Sequence, residues 1–242
     1  MKPFKLLAAL IAPAVIGISS CTQQPQHNTL TNAEKKDGWH LLFDGESLKG
    51  WHIYNKGNVP AAWEVKDGEL WCNTSTKNKT RADLTTDNTY ENFEMSFEWK
   101  VGKGGNSGVI FDVQEDAKYP ATFMTGPEYQ MLDDENSAVH KGNPYQIAGA
   151  LYNVIPTNGA AKPVPFGQWN QSKFEQKNGK LTFWLNGKKT LEADMNAESW
   201  KEAIQKGNMK FYPDFGKFTK GKITLQDHND LVYFRDIKIK EL

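Results

Sequence analysis

Phe174-Glu-Gln-Lys-Asn-Gly-Lys-Leu-Thr-Phe-Trp-Leu-Asn-Gly-Lys-Lys-Thr-Leu-Glu192 reads as three strands joined by two tight turns. Asn178-Gly179 and Asn186-Gly187 are the residue pairs that a two-residue hairpin turn demands, because both central positions need positive φ. Between them Leu181, Phe183 and Leu185 fall on one side and Thr182 and Trp184 on the other. That is the period of a strand with one buried face, and it predicts an antiparallel meander.

Working outward, the same pattern recurs. Trp63-Glu-Val65 and Leu70-Trp-Cys72 flank Asp67-Gly68, a further hairpin signal. Phe93, Met95, Phe97 and Trp99 alternate with Glu94, Ser96 and Glu98, and Gly108–Val113 is a more apolar strand. Ile223–Gln226 and Tyr233–Lys240 close the chain; the inward parity slips between Phe234 and Ile237, which calls for a β-bulge. The single helix expected runs over Ala197–Gln205, entered near Asn196 and ended by Gly207. The fold class is therefore all-β, a β-sandwich or jelly roll with one short helix.

The 242 residues divide into three parts. Residues 1–20 carry Lys2 and Lys5 before an apolar run, and end Ile18-Ser-Ser-Cys21. This is the form of a bacterial lipoprotein signal peptide, with Cys21 as the lipidated residue after cleavage. Residues 21–37, rich in Gln, Asn and Thr, read as a flexible tether, and residues 38–242 as one domain. The localisation implied is the cell envelope, lipid-anchored to a membrane and facing the periplasm. Removing the signal leaves 27 Lys+Arg against 29 Asp+Glu (29 minus Lys2 and Lys5, against 29). That near-neutral balance gives no support to nucleic-acid binding. With Cys21 consumed by lipid, Cys72 has no cysteine partner, so the domain needs no disulfide.

Glu128-Tyr-Gln-Met-Leu-Asp-Asp-Glu135 is where chemistry gathers. As a strand it puts Tyr129 and Met131 on one face and Glu128, Gln130 and Leu132 on the other, with an acidic cluster following. Two long segments of little regular pattern, 114–127 and 136–167, flank it, and loops of that length in a domain are usually functional or disordered. The strand is expected to form the floor of a site.

The order of motifs over Gly38–Leu242 resembles the bacterial 3-keto-disaccharide hydrolase, or 3-keto-glucoside 1,2-lyase/glucanase, domain family. The matching stretches are Leu42-Phe-Asp-Gly-Glu-Ser-Leu-Lys-Gly-Trp51, Trp63-Glu-Val-Lys-Asp-Gly-Glu-Leu70, Gly104-Gly-Asn-Ser-Gly-Val109, Glu128–Glu135, Gly149-Ala-Leu-Tyr152, Trp169-Asn170, Trp184-Leu-Asn-Gly187, Leu225-Gln-Asp-His228 and Phe234-Arg-Asp-Ile237. The resemblance implies a concanavalin A-like (laminarinase-like) sandwich, an oligosaccharide or glycoside substrate oxidised at C3, and an upstream sugar 3-dehydrogenase as pathway partner. One departure stands out. Laminarinase-type glucanases carry a second acid where this chain has Gln130, and a retaining glycosidase needs two carboxyls about 5 Å apart. Asp133 could join Glu128 only if the strand bulged.

A ketone at C3 acidifies the C2 proton, so a base can form an enolate and the C1 substituent can leave by β-elimination; water can add back to give net hydrolysis. Such a site needs a tuned base, a hydrogen-bond donor or positive group for the C3 oxygen, and an acid for the leaving group. Glu128, His228 and His140 are the catalytic candidates. Asn106, Gln130, Tyr152, Trp184, Gln226 and Arg81 are the candidates for substrate binding, with Trp169 as a further stacking ring and Lys141 as a further cation. The cofactor is left open; a divalent cation is one option, with Glu128, Asp133, Asp134, His140 and His228 as ligand candidates at no diagnostic spacing. A carbohydrate-binding lectin on the same sandwich and a glucanase-type hydrolase are the alternatives.

Overall fold

The computed structural model describes residues 26–75, 79–138, 140 and 142–242. The signal peptide, Cys21 and Lys141 lie outside the described residues. In chain order the elements are α1 (Asn32–Lys36), β1 (Trp39–Leu41), β2 (Trp51–Ile53), β3 (Trp63–Lys66), β4 (Glu69–Cys72), β5 (Leu84–Thr86), β6 (Phe93–Val101) and β7 (Asn106–Val113). They continue with β8 (Glu128–Leu132), β9 (Asn170–Lys177), β10 (Lys180–Leu185), β11 (Lys188–Asp194), α2 (Glu198–Lys206), β12 (Lys222–Leu225) and β13 (Val232–Glu241).

Two antiparallel sheets form a β-sandwich. The larger runs β11-β10-β9-β6-β13-β4-β3, with β1 also pairing β13; the smaller runs β2-β5-β12-β7-β8. The meander β9-β10-β11 is present with both turns, Asn178 and Gly179 at φ 51° and 75° and Asn186 and Gly187 at 48° and 77°. Both central residues are left-handed, which matches the strand twist. Phe93, Phe97, Phe174, Phe183 and Phe234 from the larger sheet meet Phe111 and Tyr129 from the smaller in the core. Phe174 lies 5.4 Å from Phe93 and 5.1 Å from Phe111, ring centre to ring centre. Each such aromatic stabilises the fold by roughly 1.5–3 kcal/mol through burial.

The bulge expected near Phe234–Ile237 is there: the β13–β6 register shifts between Arg235 and Lys238, and Asp236 adopts φ 51°. It corrects one expectation. Residues 26–37 are not a free tether over this stretch, because His27 Nδ1 meets Asp236 Oδ2 at 2.6 Å and the Asp236 amide donates to Asn28 Oδ1 at 2.9 Å. Asn28 Nδ2 also donates to Gly68 O at 2.8 Å, so residues 27–28 fill the gap between the β3–β4 hairpin and β1 along β13. Thr31-Asn-Ala-Glu34 then caps α1 with a reciprocal capping box, a signal present in the sequence. Helix α2 falls within a residue of its expected span, with Ala197 as its N-cap and Gly207 as its C-cap.

Candidate active site

Burying Tyr129 and Met131 in the core forces Glu128 and Gln130 onto the outer face of the smaller sheet. Both are nonetheless buried. The long loop after the acidic cluster covers them by pairing with the free edge of β8. Gln130 N donates to Ala150 O at 3.0 Å, Gly149 N to Gln130 O at 3.0 Å, and Tyr152 N to Glu128 O at 3.1 Å. An edge strand is thereby closed, and Tyr152 and Asn153 are folded over the face.

Across the sheet Gly108 stands opposite Gln130, and Gln226 N donates to Gly108 O at 2.9 Å. A Cβ at Gly108 would sit 2.1 Å from Glu128 Oε1. Glycine here is a requirement of space, since it lets the Glu128 side chain lie across β7 toward Gln226.

Around these groups is a cavity of about 290 Å³. Six of the residues singled out from sequence line it: Asn106, Glu128, Gln130, Tyr152, Gln226 and His228. Five more do so that sequence reasoning missed: Phe123, Asn153, Asn208, Met209 and Tyr212. They come from turns and loops with no periodic signal. Phe123 belongs to the short 3-10 turn Thr122–Met124, and Asn208 and Met209 to another, Asn208–Phe211.

Burial raises the Glu128 carboxyl to about 8, the negative charge of Asp83 pushes in the same direction, and a hydrogen bond with Gln226 opposes both. Asp83 is a further missed residue. Burial raises its carboxyl too, although it accepts from Thr122 Oγ1 at 2.5 Å and from the Asp227 amide at 2.9 Å. Glu128 therefore carries its proton at neutral pH. The carboxamide oxygens of Gln130 and Gln226 are buried with no hydrogen-bond partner. Unmatched acceptors of that kind call for an explanation, and sugar hydroxyls are donors of the right sort.

The orientation of the Gln130 carboxamide, and of the groups linked to it, follows from one backbone anchor. Gln130 Nε2 donates to Gln146 O at 3.0 Å, which fixes which end of its amide is nitrogen. The same nitrogen donates to Asn106 Oδ1 at 3.2 Å, so Asn106 Nδ2 faces His140 Nε2 at 3.3 Å. His140 Nε2 must accept, leaving the proton on Nδ1, which donates to Gln146 Oε1 at 3.1 Å. Gln146 Nε2 ends the chain on Asn153 Oδ1 at 2.8 Å. Every step agrees with the next.

The remaining candidates are placed as follows. His228 lies at the cavity with its side chain half exposed and Nδ1 3.6 Å from Asp230 Oδ2. Asp230 Oδ2 in turn accepts from the Asn106 amide at 3.1 Å. His140 corrects its expected catalytic role: it is buried behind the cavity with both ring nitrogens engaged. Arg81 is likewise no substrate contact. Its guanidinium grips the Asp227 carboxylate, with Nε 2.7 Å from Oδ2, and so holds the turn that presents Gln226 and His228. Trp184 points from β10 to the outer face of the opposite sheet, where Lys173 Nζ lies 4.1 Å from its ring centre. It is separated from the cavity by the core. Trp169 is on that sheet as well, covered by Lys100 and Arg235.

The metal ligands considered from sequence do not converge. Asp133 accepts from the Gly104 amide at 2.8 Å and from Asn136 Nδ2 at 2.8 Å, and Asp134 accepts from the Ala148 amide at 2.9 Å. Both carboxylates hold loop backbone, and burial raises Asp134 to about 6. Asp133 does not turn in beside Glu128, so the paired carboxyls of a retaining glucanase are missing from this strand. Among the described residues, the group with ligand geometry is His27, Glu98 and Asp236, on the other sheet.

A family model described as the 3-keto-alpha-glucoside-1,2-lyase-like domain matches residues 38–240. A 3-keto-disaccharide hydrolase of Bacteroides thetaiotaomicron is 33% identical, over 85% of this chain and 79% of its own length. A crystal structure from Parabacteroides distasonis, named provisionally as a glycosyl hydrolase, is 38% identical with a TM-score of 0.83, covering 90% of this chain and all of that one. A second structure from the same organism, with the same provisional name, is 25% identical with a TM-score of 0.64, covering 84% and 99%.

Proposed function

We propose that this chain, which belongs to the 3-keto-alpha-glucoside-1,2-lyase-like domain family, is a carbohydrate-active enzyme that cleaves 3-keto-glycosides. The observation that carries the reading is a buried Glu128, its carboxyl pushed up by burial, beside two unmatched carboxamide oxygens in a cavity of one-sugar size. A lectin has no use for a neutral buried carboxyl at its floor, whereas elimination needs an acid for the leaving oxygen.

The steps divide between two side chains. His228 takes the C2 proton, and the electron pair left behind forms the enolate with the C3 oxygen. As C1=C2 forms, the C1–O bond breaks and Glu128 gives its proton to the departing oxygen. The products are a 1,2-unsaturated 3-keto sugar and the free leaving alcohol; water added across the double bond makes the outcome a hydrolysis. Gln130 and Gln226 accept from sugar hydroxyls, Asn106 and Tyr152 complete the contact, and the substrate is supplied by a sugar 3-dehydrogenase. The enzyme works from the cell envelope, held by lipid at Cys21.

Mass spectrometry of products from trehalose and from 3-keto-trehalose in ¹⁸O water tests this. Cleavage confined to the keto sugar supports it, and an unsaturated product without ¹⁸O separates lyase from hydrolase. Unimpaired cleavage by both Glu128→Gln and His228→Ala proteins would sink it.

A further inference from the structure

We propose that the groove adjoining the cavity binds the leaving half of the substrate, and that it favours a neutral or cationic sugar over an anionic one. The inference rests on the reaction proposed above and adds what lies on the far side of the broken bond.

The cavity, at about 290 Å³, stands at the low end of small-molecule sites, which run from roughly 300 Å³ upward. It has room for one pyranose ring and not for a disaccharide. The second ring has to lie outside it, and the structure offers a place. A groove of about 720 Å³ runs between the loop before β9 and helix α2, and Asn153 and Asn208 line both hollows. The shared wall is built, not incidental. Asn153 holds φ 57°, its carboxamide oxygen is taken by Gln146, and its backbone amide donates to Tyr145 O at 2.9 Å. A Cβ at Gly207 would lie 2.5 Å from Asn153 O, so the end of α2 reaches this turn only because residue 207 is glycine. Trp200 is nearly buried in the groove wall with Nε1 donating to Gly216 O at 3.1 Å. Tyr145, 43% exposed, offers a ring face at the rim. Aromatic faces of that kind stack on sugar rings.

Charge gives the preference. Glu192, Asp194 and Glu202 line the groove against a single Lys206. Lys206 pairs loosely with Glu202 at 3.6 Å, and Lys189, outside the lining, pairs with Glu192 at 2.9 Å. Counting both lysines, the three acids outnumber the cations by one, so the groove keeps a net negative charge. A uronate, sulfate or phosphate on the leaving sugar would meet it unfavourably; a plain hexose or an amino sugar would not.

The test compares kcat/KM for 3-keto-disaccharides that release glucose or glucuronate, and for 3-keto methyl glucoside, at low salt. Wild type should favour the glucose-releasing substrate over the glucuronate one by roughly tenfold. The charge-reversed Glu192→Lys, Glu202→Lys protein should lose or invert that preference and leave the methyl glucoside within about twofold. Equal rates for the two disaccharides in wild type, or equal change of all three substrates in the variant, overturn the groove. Calorimetric titration with the unoxidised disaccharides separates the two readings, because those sugars bind without elimination. A wild-type protein that cleaves no keto sugar, with the variant still reversing the affinity order, overturns the reaction and supports the groove. A preference unchanged between wild type and variant in the titration overturns the groove whatever the chemistry does.

Discussion

Glu128 sets the alkaline limit of the proposed reaction. It has to hold a proton to give one to the leaving oxygen, and burial with the Asp83 charge places its release at about 8. Activity should therefore fall as pH rises through about 8, and Asp83→Asn should move that fall to lower pH by removing the charge that helps raise it. A kcat profile that rises across the same range would assign Glu128 to the base instead. The hydrogen-bond chain through His140 has its own signature. Wild-type His140 should show the Nδ1–H tautomer in ¹⁵N spectra, and Gln146→Leu, which strips its acceptor, should lose that tautomer and cut kcat about tenfold or more while the protein stays folded. A catalytic base at His140 would instead titrate with activity. Glu128 and Gln130 could be read from sequence because strand parity puts them opposite core residues, and Gln226 because it stands in the Leu225-Gln-Asp-His228 motif of the family resemblance. Asp83 could not: Arg81-Ala-Asp83 precedes a strand of three residues, Leu84–Thr86, and its burial comes from Thr122 and Asp227, 39 and 144 positions away. Gly108 was an overlooked local signal, a glycine inside a strand marking a close approach, as was the capping box of α1.

At the level of the element, β7 ends in a bulge that stores a further buried acid. The β12–β7 register shifts between Lys222 and Thr224, Asp112 takes φ 56°, and its side chain turns in to accept from Gln176 Nε2 at 3.0 Å. Burial raises this carboxyl to about 8, and its Oδ2 has no partner. An acid whose folded pKa is raised supports the fold below its unfolded pKa, near 4, and that support is lost as pH climbs through about 8. Asp112→Asn keeps the shape and removes the ionisation. Urea unfolding should find the variant about as stable as wild type at pH 4 and more stable by several kcal/mol at pH 8. Equal stability at both pH values would mean that the carboxyl is not buried as described. The long strands were legible because alternation and Asn-Gly or Asp-Gly turns act within a few residues. The three-residue strands β1, β2 and β5 were not, since their extended form is imposed by the partners they pair with. Segment 26–37 shows the same limit from the other side: polar composition suggested a tether, while its order comes from a bulge some 200 positions away.

For the whole molecule, the two sheets separate the cavity from the N-terminal segment. The cavity is on the outer face of the smaller sheet, and His27 and Asn28 pin the N-terminal segment to β13 of the larger one. From Gln26 back to Cys21 is five residues, a reach of at most about 18 Å. A lipid at Cys21 would thus hold the domain close to the bilayer by the larger sheet and leave the cavity to soluble sugars. Among the described residues no helix is long and apolar enough to cross a membrane. Expressed in a bacterial host, the full chain should fractionate with membranes and take up a labelled fatty acid, and Cys21→Ser should move it to the soluble fraction. Because the attachment is remote from Glu128 and His228, the soluble variant should keep its kcat on a 3-keto-disaccharide. Retention of Cys21→Ser at the membrane would remove the lipid anchor, and loss of its activity would mean that attachment and cavity are coupled through the core.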